Sequence, residues 1–477
     1  MRFTNRTCRR ALAALFLTLV ATPPAAHAAP PPPEHRADPS LTTYVHRAGP
    51  FTIGAYETLF KSAKVKPPRV RGAIVAMDAR LVDRNGDVIP QSVVMLHHLV
   101  FTNGGKDDRR RDPQCPNRTT RERFYGTSEE LRPLTLPPGY GYPTDPKDRW
   151  RAPLMVMHHR AGERTFYVEY RMTVDTRPTT PVRPYWLSVV TCSADPQWTV
   201  KGSGEKTAKR QRTFTLPAAG RIVAAGAHLH GGAQGITLAQ PRCKQTLVRN
   251  EPFYAPEDDP LYKVRPLLHE PDPKTISWWQ SATGWPVRKG EPLTVTADYD
   301  DTRAHTRVMA IEHIYVAPPT DNAPCGPPPQ DAETLGAEFE RPRMTPPQIG
   351  LTLARLGSDG KARPTTRVVD GQSRTVKGPV VNVFVRDFAY GPARLTIPLG
   401  AVVRWNFADP EIHDITVARG PEGFASPWLK DDKRYARRFT KPGTYLLHCS
   451  LHSAFMSQQV TVTREPPRRR AADRPRR

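Results

Sequence analysis

Tyr445-Leu-Leu-His-Cys-Ser-Leu-His-Ser-Ala-Phe-Met456 sets a thiol, an imidazole and a thioether (Cys449, His452 and Met456) within eight residues. A second imidazole, His413, lies thirty-six residues upstream in Ile412-His-Asp-Ile-Thr-Val417. One thiolate, two imidazoles and a weak axial thioether are the ligand set of a blue-copper electron-transfer site. Sulfur ligands hold Cu(I) and imidazole suits Cu(II), so a site held rigidly between the two preferences changes oxidation state with little movement. Apolar alternation typical of strands surrounds these ligands from residue 379 to 463, about the length of one small Greek-key β-sandwich. His448 directly precedes Cys449, and adjacent strand residues face opposite sides, so His448 is expected to point outward, away from the ligands.

Outward from this segment the composition changes. Residues 319–378 are rich in Pro, Gly and charge and read as a linker of mixed stiffness. Residues 464–477 carry seven Arg against Glu465 and Asp473 and read as a disordered basic tail suited to an anionic cell surface. The other basic residues are dispersed, so the net charge of +24 does not point to nucleic acid. Upstream, residues 46–318 show short alternating runs punctuated by turn pairs such as Asn85-Gly86, Asn103-Gly104 and Pro138-Gly139. Proline, at 53 of 477 residues, is about twice its usual share and argues against helical bundles. The expected class is all-β.

At the start, Arg2, Arg6, Arg9 and Arg10 precede an apolar run from Ala11 to Ala21, and Ala26-His27-Ala28 offers a cleavage point. Residues 1–28 therefore read as a secretory signal peptide and the mature protein as extracytoplasmic. No run approaches the roughly 20 apolar residues needed to span a bilayer as a helix. Without Cys8 the chain keeps Cys115, Cys192, Cys243, Cys325 and Cys449. Cys449 belongs to the ligand motif, which leaves four cysteines for two disulfides in three possible connectivities.

Three further histidine groups stand in the long β region: His97-His98, His158-His159 and His228-Leu-His230. Met309 follows in Arg307-Val-Met-Ala-Ile-Glu-His-Ile-Tyr-Val316. Residues two apart on a strand share a face, so His228 and His230 can grip one metal ion.

The C-terminal motif, with Phe388-Ala-Tyr-Gly-Pro392 and Leu395-Thr-Ile-Pro-Leu-Gly-Ala-Val-Val-Arg-Trp405, resembles the cupredoxins, the family of plastocyanin and azurin. The order His-His, His, His-x-His, Met resembles the copper type II monooxygenases of the peptidylglycine- and dopamine-hydroxylating kind. Gly220-Arg-Ile-Val-Ala-Ala-Gly-Ala-His-Leu-His-Gly-Gly232 and Ala304-His-Thr-Arg-Val-Met309 are similar to Nod19-type stress proteins. The likeness implies two jelly-roll-like β-sandwich domains, 46–185 and 186–318, ahead of the cupredoxin sandwich. It implies an electron-storing copper at His97, His98 and His158, with His159 as the alternative third ligand. It implies an oxygen-binding copper at His228, His230 and Met309, and a disulfide between Cys192 and Cys325, leaving Cys115 with Cys243. The residues that hold a peptide carboxylate in the monooxygenases are replaced here by Gly226, Ile311 and His313, so a peptide substrate is not expected. The expected function is extracytoplasmic copper binding and electron transfer with an unknown redox partner. The alternative is oxygen-dependent hydroxylation of a small organic substrate, with the cupredoxin as donor.

Overall fold

The computed structural model describes residues 40–107, 121–190, 195–319, 324–336, 344–349, 351–365, 368 and 371–464. The signal peptide, Cys115, Cys192 and the basic tail beyond Arg464 lie outside the described residues. The chain is all-β: the described residues form strands, turns and two short 3-10 turns, with no helix long and apolar enough to cross a membrane.

Three two-layered sandwiches follow one another. In the first, a sheet ordered Leu41–Ile53, Arg164–Asp175, Gly72–Val82, Tyr140–Thr144 packs on one ordered Thr58–Val65, Trp150–His158, Val94–Asp107, Arg121–Ser128. In the second, Arg183–Ser188, Ala310–Ala317, Gly220–Leu229 and Trp278–Val287 pack on Glu205–Thr215, Pro292–Asp301, Ala233–Gln240 and Gln245–Asn250. The third runs parallel pairs, Val380–Arg386 with Val402–Phe407 and Arg394–Pro398 with Ser457–Thr463, in its two layers. Apolar side chains at alternate positions fill each interior; along Val380–Arg386 buried and exposed residues alternate without a break.

Ala310–Ala317 is different, being buried at all eight positions. One face lies on the second sandwich's own core and the other is covered by the first sandwich, where the Tyr315 hydroxyl donates to the Phe124 carbonyl at 2.9 Å. His313 is thereby carried into a buried seam between the two sandwiches, while Glu312 turns into the second sandwich and accepts from Asn250 at 2.7 Å.

Two expectations are corrected. The stretch 319–378, expected as a linker of mixed stiffness, is built into sheets in its described parts. Glu333–Leu335 adds to the edge of Trp278–Val287, Leu353–Leu356 and Ala362–Thr365 form a hairpin, and Ser373–Thr375 joins Arg394–Pro398. Proline-rich chain lacks some donors but keeps its carbonyls, and short extended pieces of it still satisfy an exposed sheet edge. The second correction is the disulfide: Cys243 is bonded to Cys325, with Cα atoms 5.5 Å apart, so Cys192–Cys325 is excluded. Beyond Ala317 the chain passes the 3-10 turn Pro241–Cys243, and which turns meet in space cannot be read from which cysteines bracket a domain. The bridge closes a sequence separation of 82 residues, so Cys243→Ala with Cys325→Ala should lower stability by about 2–4 kcal/mol. Thermal unfolding of the double variant beside the oxidised parent, both under non-reducing conditions, measures this; an unchanged midpoint contradicts it.

The cupredoxin-like sandwich is seated on the other two. Ala454 packs with Met95, Met155, Met157, Leu268, Ala354 and Ala362, and the Gly423 amide donates to the Lys201 carbonyl at 2.9 Å.

Candidate metal centres

The loop after Gly443–His448 turns back at once, because the His452 amide donates to the Cys449 carbonyl and the Met456 amide to the His452 carbonyl. This brings Cys449, His452 and Met456 to one end of the sandwich, where His413 enters from the segment before Thr416–Arg419. His413 and His452 present their Nδ1 atoms 3.2 Å apart, and Cys449 Sγ is 3.4 Å from His452 Nδ1. His413 Nε2 donates to Asp409 Oδ2 at 3.4 Å, which holds the proton on Nε2 and leaves Nδ1 a lone pair. Cys449 and Met456 are buried in the same apolar core. Burial pushes the Cys449 thiol well up, and burial beside His413 lowers His452 to about 4. Two imidazoles and a buried thiol whose ligand atoms lie within 4.8 Å of one another, with the Met456 thioether in the same core, suit a thiophilic cation, which would displace the thiol proton.

Five histidines of the first two sandwiches, His97, His98, His228, His230 and His269, gather into one group in the seam. A register shift between Leu96 and His98 makes His97 an extra residue in its strand, and both rings turn to the same side, with centroids 5.0 Å apart. His97 also stacks near His230, at 4.9 Å, and His269, at 4.2 Å. His228 and His230 face each other through their Nε2 atoms at 3.1 Å. His230 Nδ1 donates to the Arg307 carbonyl at 2.9 Å, and His228 Nδ1 sits 3.2 Å from Ser128 Oγ and 3.4 Å from Glu130. With both Nδ1 protons so engaged, two lone pairs point at one another, an arrangement that a shared cation relieves. Burial, with neighbouring imidazoles, keeps His98 at about 3 and His230 well below the usual range, so these rings stay neutral and able to ligate.

The two expected ligand triplets do not both form. His158 turns its Nδ1 to the Gly54 carbonyl at 2.8 Å, and its charged neighbours are Arg164, Arg160 and Glu57. His159 takes the inward position: it is buried, neither ring nitrogen has a partner, and Glu129 and His269 lie beside it. Met309 and His98 join His228 in lining a cavity of about 890 Å³, with Trp186, Ile311 and His313 on its wall. Gly226, at the first altered substrate position, lies against Trp278, whose ring a Cβ would strike at 2.3 Å.

Several residues were missed in the sequence. His269 stands alone among prolines and acids in Leu267-Leu-His-Glu-Pro-Asp-Pro273, with no histidine neighbour to mark it. Glu129 and Asp272 carry no pattern at all. His448 also needs correction: it does point away from the third sandwich's core, yet it is buried, not solvent-facing. Its Nε2 has no partner, and it lines a small cavity with Ser450, His97 and His269. Outward from one sandwich is inward to the assembly.

Arg307 joins the two centres. Its φ of +58° is unusual for a side chain with a Cβ, and it aims the carbonyl at His230 while the guanidinium crosses to the third sandwich. There it pairs with Asp414, donates to the Ser426 carbonyl at 2.7 Å and lies over the Trp428 ring. Asp414 follows His413 and accepts from the Ser450 amide at 2.7 Å and hydroxyl at 2.6 Å.

No family model matches the chain. A probable copper-dependent oxygenase M1 of Phoma sp. is 24% identical over 255 residues, 50% of this chain and 60% of that protein, so the chain spans less than two thirds of this relative. Among solved structures, a Cu(I) form and an oxidised form of amicyanin variants are 25% and 26% identical. They cover 18% and 17% of this chain, and 83% and 81% of their own, with TM-scores of 0.17 and 0.16. Scores of that size add nothing to what the side-chain geometry supplies.

Proposed function

We propose that the chain is a copper-dependent redox protein in which the cupredoxin-like sandwich passes electrons to, or takes them from, the histidine cluster of the first two sandwiches. Copper at His413, Cys449, His452 and Met456 would supply one-electron chemistry, and copper at His228, His230 and Met309 would supply oxygen chemistry. The observation that carries the reading is the Arg307 junction, a short bonded route from Cys449 through Ser450 and Asp414 to Arg307 and His230. Asp409, Ser128 and Glu130 fix ring orientation.

The cavity of about 890 Å³ favours the oxygenase form of this reading, since a pure carrier needs no chamber beside its metal ligands. A small, largely apolar organic molecule suits it, and the name of the Phoma relative is consistent with that chemistry. Secretion agrees with the Cys243–Cys325 bridge.

The test is to load the chain with copper and to follow oxygen uptake under reductant in the parent, Met309→Ala and a His228→Ala, His230→Ala double variant. Met309→Ala should weaken Cu(I) binding at its own site on the order of tenfold and slow uptake, leaving the Cys449 centre unchanged. The double variant should abolish uptake. Uptake that persists in the double variant, or copper lost equally from every site in Met309→Ala, would refute the reading.

A further inference from the structure

His97, Glu129, His269 and Asp272 each offer one ligand atom, all within 4.8 Å of one another. They come from three separate pieces of chain: the irregular strand Val94–Asp107, the turn after Arg121–Ser128, and the proline-bound loop 267–273. One oxygen of each carboxylate is anchored by a backbone amide. Asp272 N–H donates to Glu129 Oε2 at 3.1 Å, and Gly231 N–H donates to Asp272 Oδ1 at 2.8 Å. The other oxygens, Glu129 Oε1 and Asp272 Oδ2, are buried and have no hydrogen-bond partner. His97 Nδ1 and His269 Nδ1 are buried and unpartnered too, lying 3.6 Å and 3.3 Å from Glu129 Oε1 but not aligned to donate to it.

Four buried polar atoms without partners in one place would be destabilising if nothing joined them. The anchoring makes accident a poor explanation, since the chain spends backbone donors on orienting both carboxylates. Gly231 allows the close approach: a Cβ there would meet Glu270 at 2.5 Å and the Pro271 carbonyl at 2.8 Å. We propose that these four side chains bind a divalent cation of borderline to hard character, of the zinc or manganese class, beside the His228–His230 pair. Two imidazoles with two carboxylates match that class, whereas Cu(I) prefers sulfur and imidazole. Because His97 and Glu129 belong to the first sandwich and His269 and Asp272 to the second, the ion would also clamp the seam.

The proposal does not rest on the copper reading, and its test keeps them apart. The full chain is stripped with chelator, loaded with copper, and then titrated with Zn(II), or with Co(II) as a spectroscopic probe. Metal content and thermal unfolding are measured together. One equivalent beyond copper and a rise in unfolding temperature are expected. In Glu129→Gln with Asp272→Asn, which preserve shape, zinc binding should weaken at least tenfold and the thermal shift should vanish, with copper content unchanged. His269→Asn gives the same outcome through an imidazole ligand, and circular dichroism confirms that each variant is folded. Zinc uptake that survives both variants overturns the proposal. So does a parent that binds no ion beyond copper, in which case His97, His230 and His269 serve one copper ion and the carboxylates hold none.

Discussion

Cys449→Ala removes the visible absorption of the copper-loaded protein entirely. The colour of such a centre arises from charge transfer between a thiolate and copper, and Cys449 is the one free cysteine among the described residues. Among the described residues no thiol stands with the histidines of the first two sandwiches, so copper bound there should stay pale. Because burial pushes the Cys449 thiol up, the residue is protonated until a cation takes the proton's place; colour should therefore appear on metal addition, with release of a proton. The fold should survive, since alanine keeps the backbone pairing of Cys449 with Met456 and loses little volume. Absorption spectra of the two proteins, each with copper content measured, decide the matter. A coloured variant would end the assignment.

Arg307→Ala is the second large effect. The guanidinium is mostly buried and Asp414 wholly so, and removing one partner of a buried ion pair costs roughly 3–5 kcal/mol because a bare charge is left behind. Burial alone would raise the Asp414 carboxyl; Arg307 and the Ser450 bonds outweigh it and hold the group below the usual carboxylate range. In the variant that balance is lost. The docked arrangement weakens by about tenfold for each 1.4 kcal/mol removed. Rapid reduction of the Cys449 centre followed by its reoxidation should then be slowed tenfold or more, and the unfolding midpoint should fall. Arg307→Lys restores charge but not the fork that reaches Asp414 and the Ser426 carbonyl together, so it should recover only part of the rate. Equal rates in parent and Arg307→Ala would show that the junction carries no electrons.

What the sequence made legible was local. His413, Cys449, His452 and Met456 are set by strand alternation and one tight loop, and both leave marks within a few residues. His228 and His230 follow the two-residue period of a strand and do meet. The pairs His97-His98 and His158-His159 could not be phased, because the bulge at His97 reverses the ordinary alternation and the end of Trp150–His158 decides which neighbour turns inward. His269, Glu129 and Asp272 lie in turns and a loop, where position depends on contacts made by distant chain. The burial of His448 depends on how whole sandwiches dock, a property that no window of sequence contains.

Phe388 stands 43% exposed, edge-on to His452 at 4.8 Å and to His413 at 5.5 Å. On the proposed redox reading, the C-terminal centre has an outer doorway at Phe388 and His452 and an inner one at Ser450 and His448. A mobile carrier must use one doorway for both errands, arriving and leaving in turn. A sandwich bolted in place by Arg307 can keep its two doorways separate, so supply from outside and consumption within need never compete for the same surface.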